Sequence, residues 1–266
     1  MKLRILLLSA ALAAALILPA GALTLTYDGA DCTEETGAVL IDGTTYVSLR
    51  RTAALLAPAA RISWDGERAR LSTAVLSLTA RPGEAYLQYN GRCVPVPGLV
   101  RLVGGSTLVP VRALAAALGA EVEWDGQSET VRLSRATGIP QATDYNEDDL
   151  YWLSRIISAE SRGEPLAGKI AVGTVVLNRV KSSEFPDTIY GVIFDDRWGG
   201  QFEPVRNGTV YQQPTDESVI AAKLCLEGAR EAGESLYFIA PKLTQNHWTM
   251  TARTYVTTIG CHLFYA

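Results

Sequence analysis

The chain has 266 residues, 48% hydrophobic and 20% charged, with 23 Gly and 12 Pro, a balance that excludes disordered, collagen-like and polytopic membrane classes. Four Cys and two His, with no Cys-x-x-Cys and no closely spaced His pair, are too few ligands for a zinc cluster or a His-rich centre, so no metal or other cofactor is expected. The 24 basic and 28 acidic residues leave a net charge of −4, which removes bulk attraction to nucleic acid.

Lys2 and Arg4 precede an apolar run over residues 5–18, and Pro19, Ala20, Gly21 and Ala22 then supply an Ala-x-Ala site. This is the layout of a secretory signal peptide over residues 1–22, cleaved after Ala22. The run is too short to cross a bilayer, which takes roughly 20 apolar residues. Removal of two basic residues gives 22 − 28 = −6. Nothing later is apolar enough to span a membrane, so the product is expected to be secreted and extracytoplasmic.

An internal repeat organises the first half. Tyr46-Val-Ser-Leu-Arg50, an Ala/Leu-rich stretch and Ile62-Ser-Trp64-Asp-Gly66 recur as Leu108-Val-Pro-Val-Arg112, a similar stretch and Val122-Glu-Trp124-Asp-Gly126. The offsets are 112 − 50 = 62 and 124 − 64 = 60. Each copy predicts a strand, a short helix and a hairpin turning on Asp-Gly, a pair favoured where both central residues take positive φ. A further hairpin is predicted over residues 85–96, around Asn90-Gly91.

Over residues 38–134 this pattern resembles the copper amine oxidase N-terminal-like domain, a small α+β module. No His or Met cluster lies there, so no copper is expected despite the family's name. The module either attaches to a wall polymer or partner or acts as a spacer. The spacer is preferred because the Trp and Arg positions also suit packing, and because 11 basic against 16 acidic residues over 23–149 match anionic wall polymers poorly.

Residues 135–149 lack periodicity and read as a linker, which predicts halves that separate. Asn146 or Asp148 can cap the helix that follows. On that helix Leu150, Leu153, Ile157 and Glu160 share a face, with Gly163 as its stop and Pro165 opening the next helix. Glu160 thus sits in the last turn, where burial and the negative end of the helix dipole disfavour ionisation, as a general acid requires. The plainer reading is a solvated Glu160, or one paired with Arg155 or Arg162. Residues 166–180 are apolar on nearly all sides and predict a buried central helix, with Asn178 and Arg179 at its end capping or meeting solvent. Thr215 can cap a helix over 216–228, and residues 236–239, Trp248 and residues 255–259 read as short extended or irregular segments.

Ala159-Glu160-Ser161-Arg162-Gly163-Glu164, Val175-Val-Leu-Asn-Arg-Val180, Gly200-Gln-Phe202 with Pro204-Val205, Leu236-Tyr-Phe238 with Pro241, and Ile259-Gly-Cys-His-Leu-Phe264 occur in the order seen in SleB/CwlJ-type cell wall hydrolases. The resemblance covers residues 150–266. It implies a mostly helical, lysozyme-like domain acting on peptidoglycan glycan strands, with Glu160 as the catalytic acid. It makes Gln201 and Phe202 part of the cleft wall, with Asn178, Tyr237 and His262 in supporting or sugar-contacting roles. Glu164 reads as a structural or substrate-contacting carboxylate. Each has a structural alternative: Asn178 bonding backbone, Phe202 and Tyr237 in the core, His262 a buried imidazole. The loop Asp195-Asp-Arg-Trp-Gly199 departs from the family pattern, which puts subsite preference in doubt; Cys261 also departs from it but need not affect the chemistry.

The expected whole is thus an α+β, two-domain enzyme that cleaves the MurNAc–GlcNAc bond. Because one Glu suffices, a lytic transglycosylase is expected, with spore cortex breakdown at germination favoured over vegetative wall. A hydrolytic muramidase would need Glu164, Asp195, Asp196 or Glu203 as a second carboxylate. A non-catalytic wall-binding protein is the other alternative. For the cysteines, free buried thiols are preferred over Cys32–Cys93 and Cys225–Cys261 pairs.

Overall fold

The computed structural model describes residues 23–135, 145–241 and 252–266. Residues 1–22, read as a signal peptide, residues 136–144 of the stretch read as a linker, and Trp248 lie outside the described residues. Among those described, no helix is long and apolar enough to cross a membrane.

The N-terminal half contains helices α1 (Thr33–Thr36), α2 (Leu49–Leu56) and α3 (Val111–Ala117) and three sheets, and the sheets share one hydrophobic core with α2 and α3. One sheet has strand order Arg101–Val103, Ser106–Pro110, Thr44–Ser48, Val39–Ile41. Its two central strands pair antiparallel with Val109 opposite Val47, and each leads directly into a helix, α3 or α2. Ser48 caps α2 by accepting a hydrogen bond from the Arg51 amide, and Pro110 begins α3 where no amide donor is needed. Residues 24–27 lie upstream of the stretch read as the module, yet they pair in parallel with Thr130–Arg135, and Leu25 is buried in the same core.

The hairpin at Asn90-Gly91 forms with both residues at positive φ, 48° and 81°. The two Asp-Gly turns are built differently. Neither Asp65 nor Asp125 takes positive φ; each carboxylate accepts two backbone amides, from Glu67 and Arg68 and from Gln127 and Ser128. The Asp side chain closes the loop, so the primed turn is not required.

In the second half, α4 (Glu147–Ser161) starts at Asn146, whose side chain accepts from the Asp149 amide. α5 (Leu166–Lys181) is the buried central helix, followed by α6 (Ile189–Ile193), α7 (Glu203–Arg206) and α8 (Asp216–Leu226), the last capped by Thr215. Gly173 allows α5 to approach α4 and α8: a Cβ there would lie 2.6 Å from Cys225 Sγ and 2.9 Å from Ile157 Cδ1. Residues 237–239 and 255–265 contribute a three-stranded antiparallel sheet, Tyr237–Ile239, His262–Tyr265 and Tyr255–Ile259 in spatial order, so the half expected to be mostly helical also carries a sheet. All four cysteines are free; Cys32, Cys93 and Cys225 are buried, whereas Cys261 is exposed on a hairpin turn.

The two halves touch through a polar latch. Arg92 Nε and Nη2 donate to Glu227 at 2.7 and 2.6 Å, Tyr145 donates to the same carboxylate at 3.0 Å, and Lys223 donates to the Gly91 carbonyl at 2.7 Å. Cys93 and Tyr86 join the apolar cluster of the second half. Burial opposes ionisation of Glu227, but the Arg92 and Tyr145 hydrogen bonds outweigh it and hold the carboxyl below its ordinary value. Arg92→Ala leaves that partly buried carboxylate without its cation, held by Tyr145 alone, at about 1–3 kcal/mol. The expected result in scanning calorimetry is that one cooperative transition becomes two. In the unsubstituted chain the latch contribution is complete above the ordinary Glu value and is lost as pH falls through the depressed one.

Candidate active site

The last turns of α4, the segment from Gln201 through α7, and the strand Tyr237–Ile239 with His262 enclose a cleft of about 880 Å³. Glu160 lines it. Its carboxyl has no hydrogen-bond or ion-pair partner among the described residues, because the two arginines that could pair with it are used elsewhere. Arg155 lies over the Tyr151 ring at 3.5 Å, and Arg162 reaches the Gln213 carbonyl. Burial pushes the Glu160 carboxyl up to about 7; Arg179 opposes this and Glu203 adds to it. The group is therefore largely protonated at slightly acid pH and able to release its proton near neutrality.

Arg179 departs most from the sequence reading. It is buried, not capping or solvated. Val172, Val175, Val176 and Arg179 occupy one face of α5 at helical spacing, all buried, which was the available signal for an inward-facing cation. Its Nε donates to the Leu236 carbonyl at 2.7 Å, and its guanidinium lies 4.9, 5.1 and 5.5 Å from the Phe185, Phe202 and Tyr237 ring centres. Burial pulls its pKa down to about 10, against the pull of Tyr237, Asp195 and Glu160. It stays charged at neutral pH and lines the cleft with Glu160.

Gln201 and His262 line the same cleft. His262 is buried, edge-on to Phe238, and burial, opposed by Glu164, holds it below its ordinary value, so the imidazole is neutral at pH 7. Phe202 is core, lying beneath Arg179. Tyr237 accepts a hydrogen bond from Arg253 at 2.8 Å and forms part of the Arg179 cage. Asn178 donates to the Gly233 and Ser235 carbonyls at 2.9 and 3.0 Å, tying α5 to the chain entering the sheet. Glu164 accepts from the Cys261 amide at 2.9 Å. Gly260 makes that possible: its φ is +59°, and a Cβ would lie 1.7 Å from the carboxylate. Asn178, Phe202, Tyr237 and Glu164 are not among the residues that line the cleft.

Of the other carboxylates, Asp195 is buried and gripped by Arg197 at 2.8 and 2.9 Å, and Asp196 does not line the cleft. Glu203 does, as an ion pair with Arg206. No group of three or more His, Cys, Asp or Glu side chains among the described residues is placed to hold a metal.

The cell wall hydrolase family profile matches residues 163–265, beginning three residues after Glu160. A spore cortex-lytic enzyme of Bacillus cereus is 34% identical over 131 residues, 49% of this chain and 48% of that protein. Cell wall hydrolase CwlJ of Oceanobacillus iheyensis is 31% identical over 104 residues, 37% of this chain and 72% of that protein. The chain belongs to the cell wall hydrolase family. It spans about half the length of the spore cortex-lytic enzyme it matches. The crystallised catalytic domain of the germination-specific lytic transglycosylase SleB from Bacillus anthracis is 34% identical, with a TM-score of 0.42, covering 48% of this chain and all of that one. Outside the cell wall hydrolase region, the copper amine oxidase N-terminal domain profile matches residues 26–133. That stretch does not fit copper: both histidines of the chain, His247 and His262, lie outside it.

Proposed function

We propose that the chain is a secreted enzyme that cleaves the glycosidic bond between N-acetylmuramic acid and N-acetylglucosamine in peptidoglycan, as a lytic transglycosylase. One observation carries this reading: an unpaired carboxyl in the cleft, Glu160, whose proton is held until about pH 7 by burial. Glu160 protonates the bridging oxygen as the C1–O bond breaks and the N-acetylglucosamine hydroxyl leaves. The resulting carboxylate takes the proton from the muramic C6 hydroxyl, whose oxygen bonds to C1 and closes the 1,6-anhydro ring. Arg179 stabilises the carboxylate between these steps, and Gln201 faces the sugar.

We read the second half as lysozyme-like, the first as two copies of a strand–helix–hairpin unit, and residues 1–22 as the exported leader. The names of the relatives favour spore cortex as the substrate and germination as the setting.

Glu203 supports a second reading, a hydrolytic muramidase in which it activates water, since it alone of the alternative carboxylates lines the cleft. Mass spectrometry of digests of purified cortex and vegetative peptidoglycan separates the two. Anhydro-muramic ends are expected. Reducing ends would assign Glu203 as base, and no released glycan at all would reduce the chain to a wall-binding protein.

A further inference from the structure

The N-terminal half carries two grooves, of about 550 and 300 Å³, most of whose lining residues correspond; Leu23, Pro97 and Glu129 of the larger and Arg51 and Ser63 of the smaller have no counterpart. In the larger, Leu40, Thr44 and Thr45 face Arg112, Val122 and Trp124. In the smaller, Leu102, Ser106 and Thr107 face Arg50, Ile62 and Trp64. The offsets are those of the repeat: 102 − 40, 106 − 44 and 112 − 50 are 62, and 122 − 62 and 124 − 64 are 60. Each groove is composite, with the hairpin of one copy set against the helix start and Trp strand of the other.

The pairing of Val47 with Val109 explains this. Those residues are themselves 62 apart, so a local two-fold axis passes between them, perpendicular to the sheet as in any antiparallel pair. It carries one groove onto the other. Leu40 and Leu102 lie on the two edge strands of that sheet, three strand spacings across and, by the pairing register, four residues along from each other, roughly 20 Å in all.

Burial does not account for the repeated Trp. Trp64 and Trp124 are 45% and 46% exposed, and Leu40 and Leu102 are 59% and 52% exposed, so packing uses only about half of each indole. Arg50 and Arg112 have no ion-pair partner among the described residues, Arg112 donating only to the Val122 carbonyl. Other arginines of this half, among them Arg70, Arg81, Arg101 and Arg132, do form ion pairs. Each groove therefore offers a half-exposed indole, a leucine, paired hydroxyls and a guanidinium without an ion-pair partner among the described residues; the larger also has Glu129 on its wall, and the smaller a second arginine, Arg51.

We propose that the two grooves are paired subsites for one carboxylate-bearing polysaccharide, the uncleaved glycan strand of peptidoglycan. The indole and leucine cover the C–H faces of a pyranose, the hydroxyls meet its ring substituents, and the guanidinium takes a lactyl or stem-peptide carboxylate. A repeating polymer fits a repeated site, and two weak contacts roughly 20 Å apart on one molecule reinforce each other through effective concentration. The unpaired arginines supply the charge complementarity that the acidic module as a whole lacks. The proposal shares a substrate with the function proposed above but uses none of its cleft residues.

The test is co-sedimentation of the full chain with purified peptidoglycan sacculi, in a Glu160→Gln background that prevents turnover. Trp64→Ala and Trp124→Ala are each expected to weaken binding roughly three- to tenfold, and the pair together roughly thirtyfold or more. The double Trp→Phe variant should stay within about twofold, and Arg50→Gln with Arg112→Gln should abolish most of the salt dependence. Unchanged binding in the double Ala variant overturns the proposal, as does equal loss with Phe, which would point to packing instead of stacking. Sedimentation velocity showing a dimer that the Ala substitutions dissociate also overturns it, assigning the grooves to a second copy of the chain. Cleavage of soluble glycan fragments by the unsubstituted chain reports on the Glu160 cleft alone, so its failure would count against the proposed function and leave the sacculus result standing.

Discussion

Glu160→Gln lowers turnover of soluble glycan fragments by about 10²- to 10⁴-fold, the range set by loss of a general acid, with little change in KM because the amide keeps the side chain's shape. Steady-state kinetics on defined oligosaccharides measures it, and full activity in the variant would remove Glu160 from the mechanism. In the unsubstituted chain the active form is the protonated one, so kcat/KM holds at acid pH and falls through a single ionisation near the carboxyl's value of about 7. The same perturbation acts on stability with a definite sign. Below the ordinary value of 4.5 both folded and unfolded chains hold the proton and Glu160 costs nothing. Between 4.5 and about 7 the unfolded chain ionises and the folded one does not, so stability is lost as pH rises. A shift of that size corresponds to about 3 kcal/mol, which residual solvent contact reduces to about 1–2 kcal/mol. The Gln variant is accordingly expected to melt higher than the parent at pH 8 and equally at pH 4.

Arg179→Gln is expected to be the most disruptive single change in the second half. It removes the hydrogen bond to the Leu236 carbonyl and a cation that lies near three aromatic rings, at about 2–4 kcal/mol in denaturant unfolding. Stability alone does not distinguish a structural role from a positioning one; the pH profile does. Arg179 draws the Glu160 carboxyl downward, so its loss moves the alkaline limb of kcat/KM to higher pH. Arg179→Lys keeps the charge and should restore the limb while recovering only part of the stability. An alkaline limb that stays in place in the Gln variant would confine Arg179 to holding the cage.

Much of the site is written in local sequence because helix geometry is local. The spacing of Leu150, Leu153, Ile157 and Glu160 puts a carboxyl at the end of an apolar stripe, and the stop near Gly163 puts it in the last turn; both follow from 3.6 residues per turn and terminal chemistry. The caps at Asn146 and Thr215, the Asn90-Gly91 turn and the repeat offsets of 62 and 60 are legible for the same reason: each depends on neighbours within a few residues or on self-comparison of the chain. Arg179 was misread because charge outweighed its position on the buried face. A desolvated guanidinium is tolerated only when distant parts of the chain supply an acceptor and rings, and Leu236, Phe202 and Tyr237 are 20 or more residues away in sequence.

The sequence by itself determined which family the second half resembles, that Glu160 ends an apolar helix face, and that two stretches of the first half match at offsets of 62 and 60 residues. The tertiary structure alone decided that Glu160 has no partner among the described residues, that Glu203 shares its cleft while Asp195 and Glu164 are bound elsewhere, that the halves are latched at Arg92 and Glu227, and that Trp64 and Trp124 are half exposed and line two grooves. The physical reason is common to all four: desolvation, pairing and exposure are properties of what surrounds a side chain, and for these residues the surroundings come from segments far away along the chain.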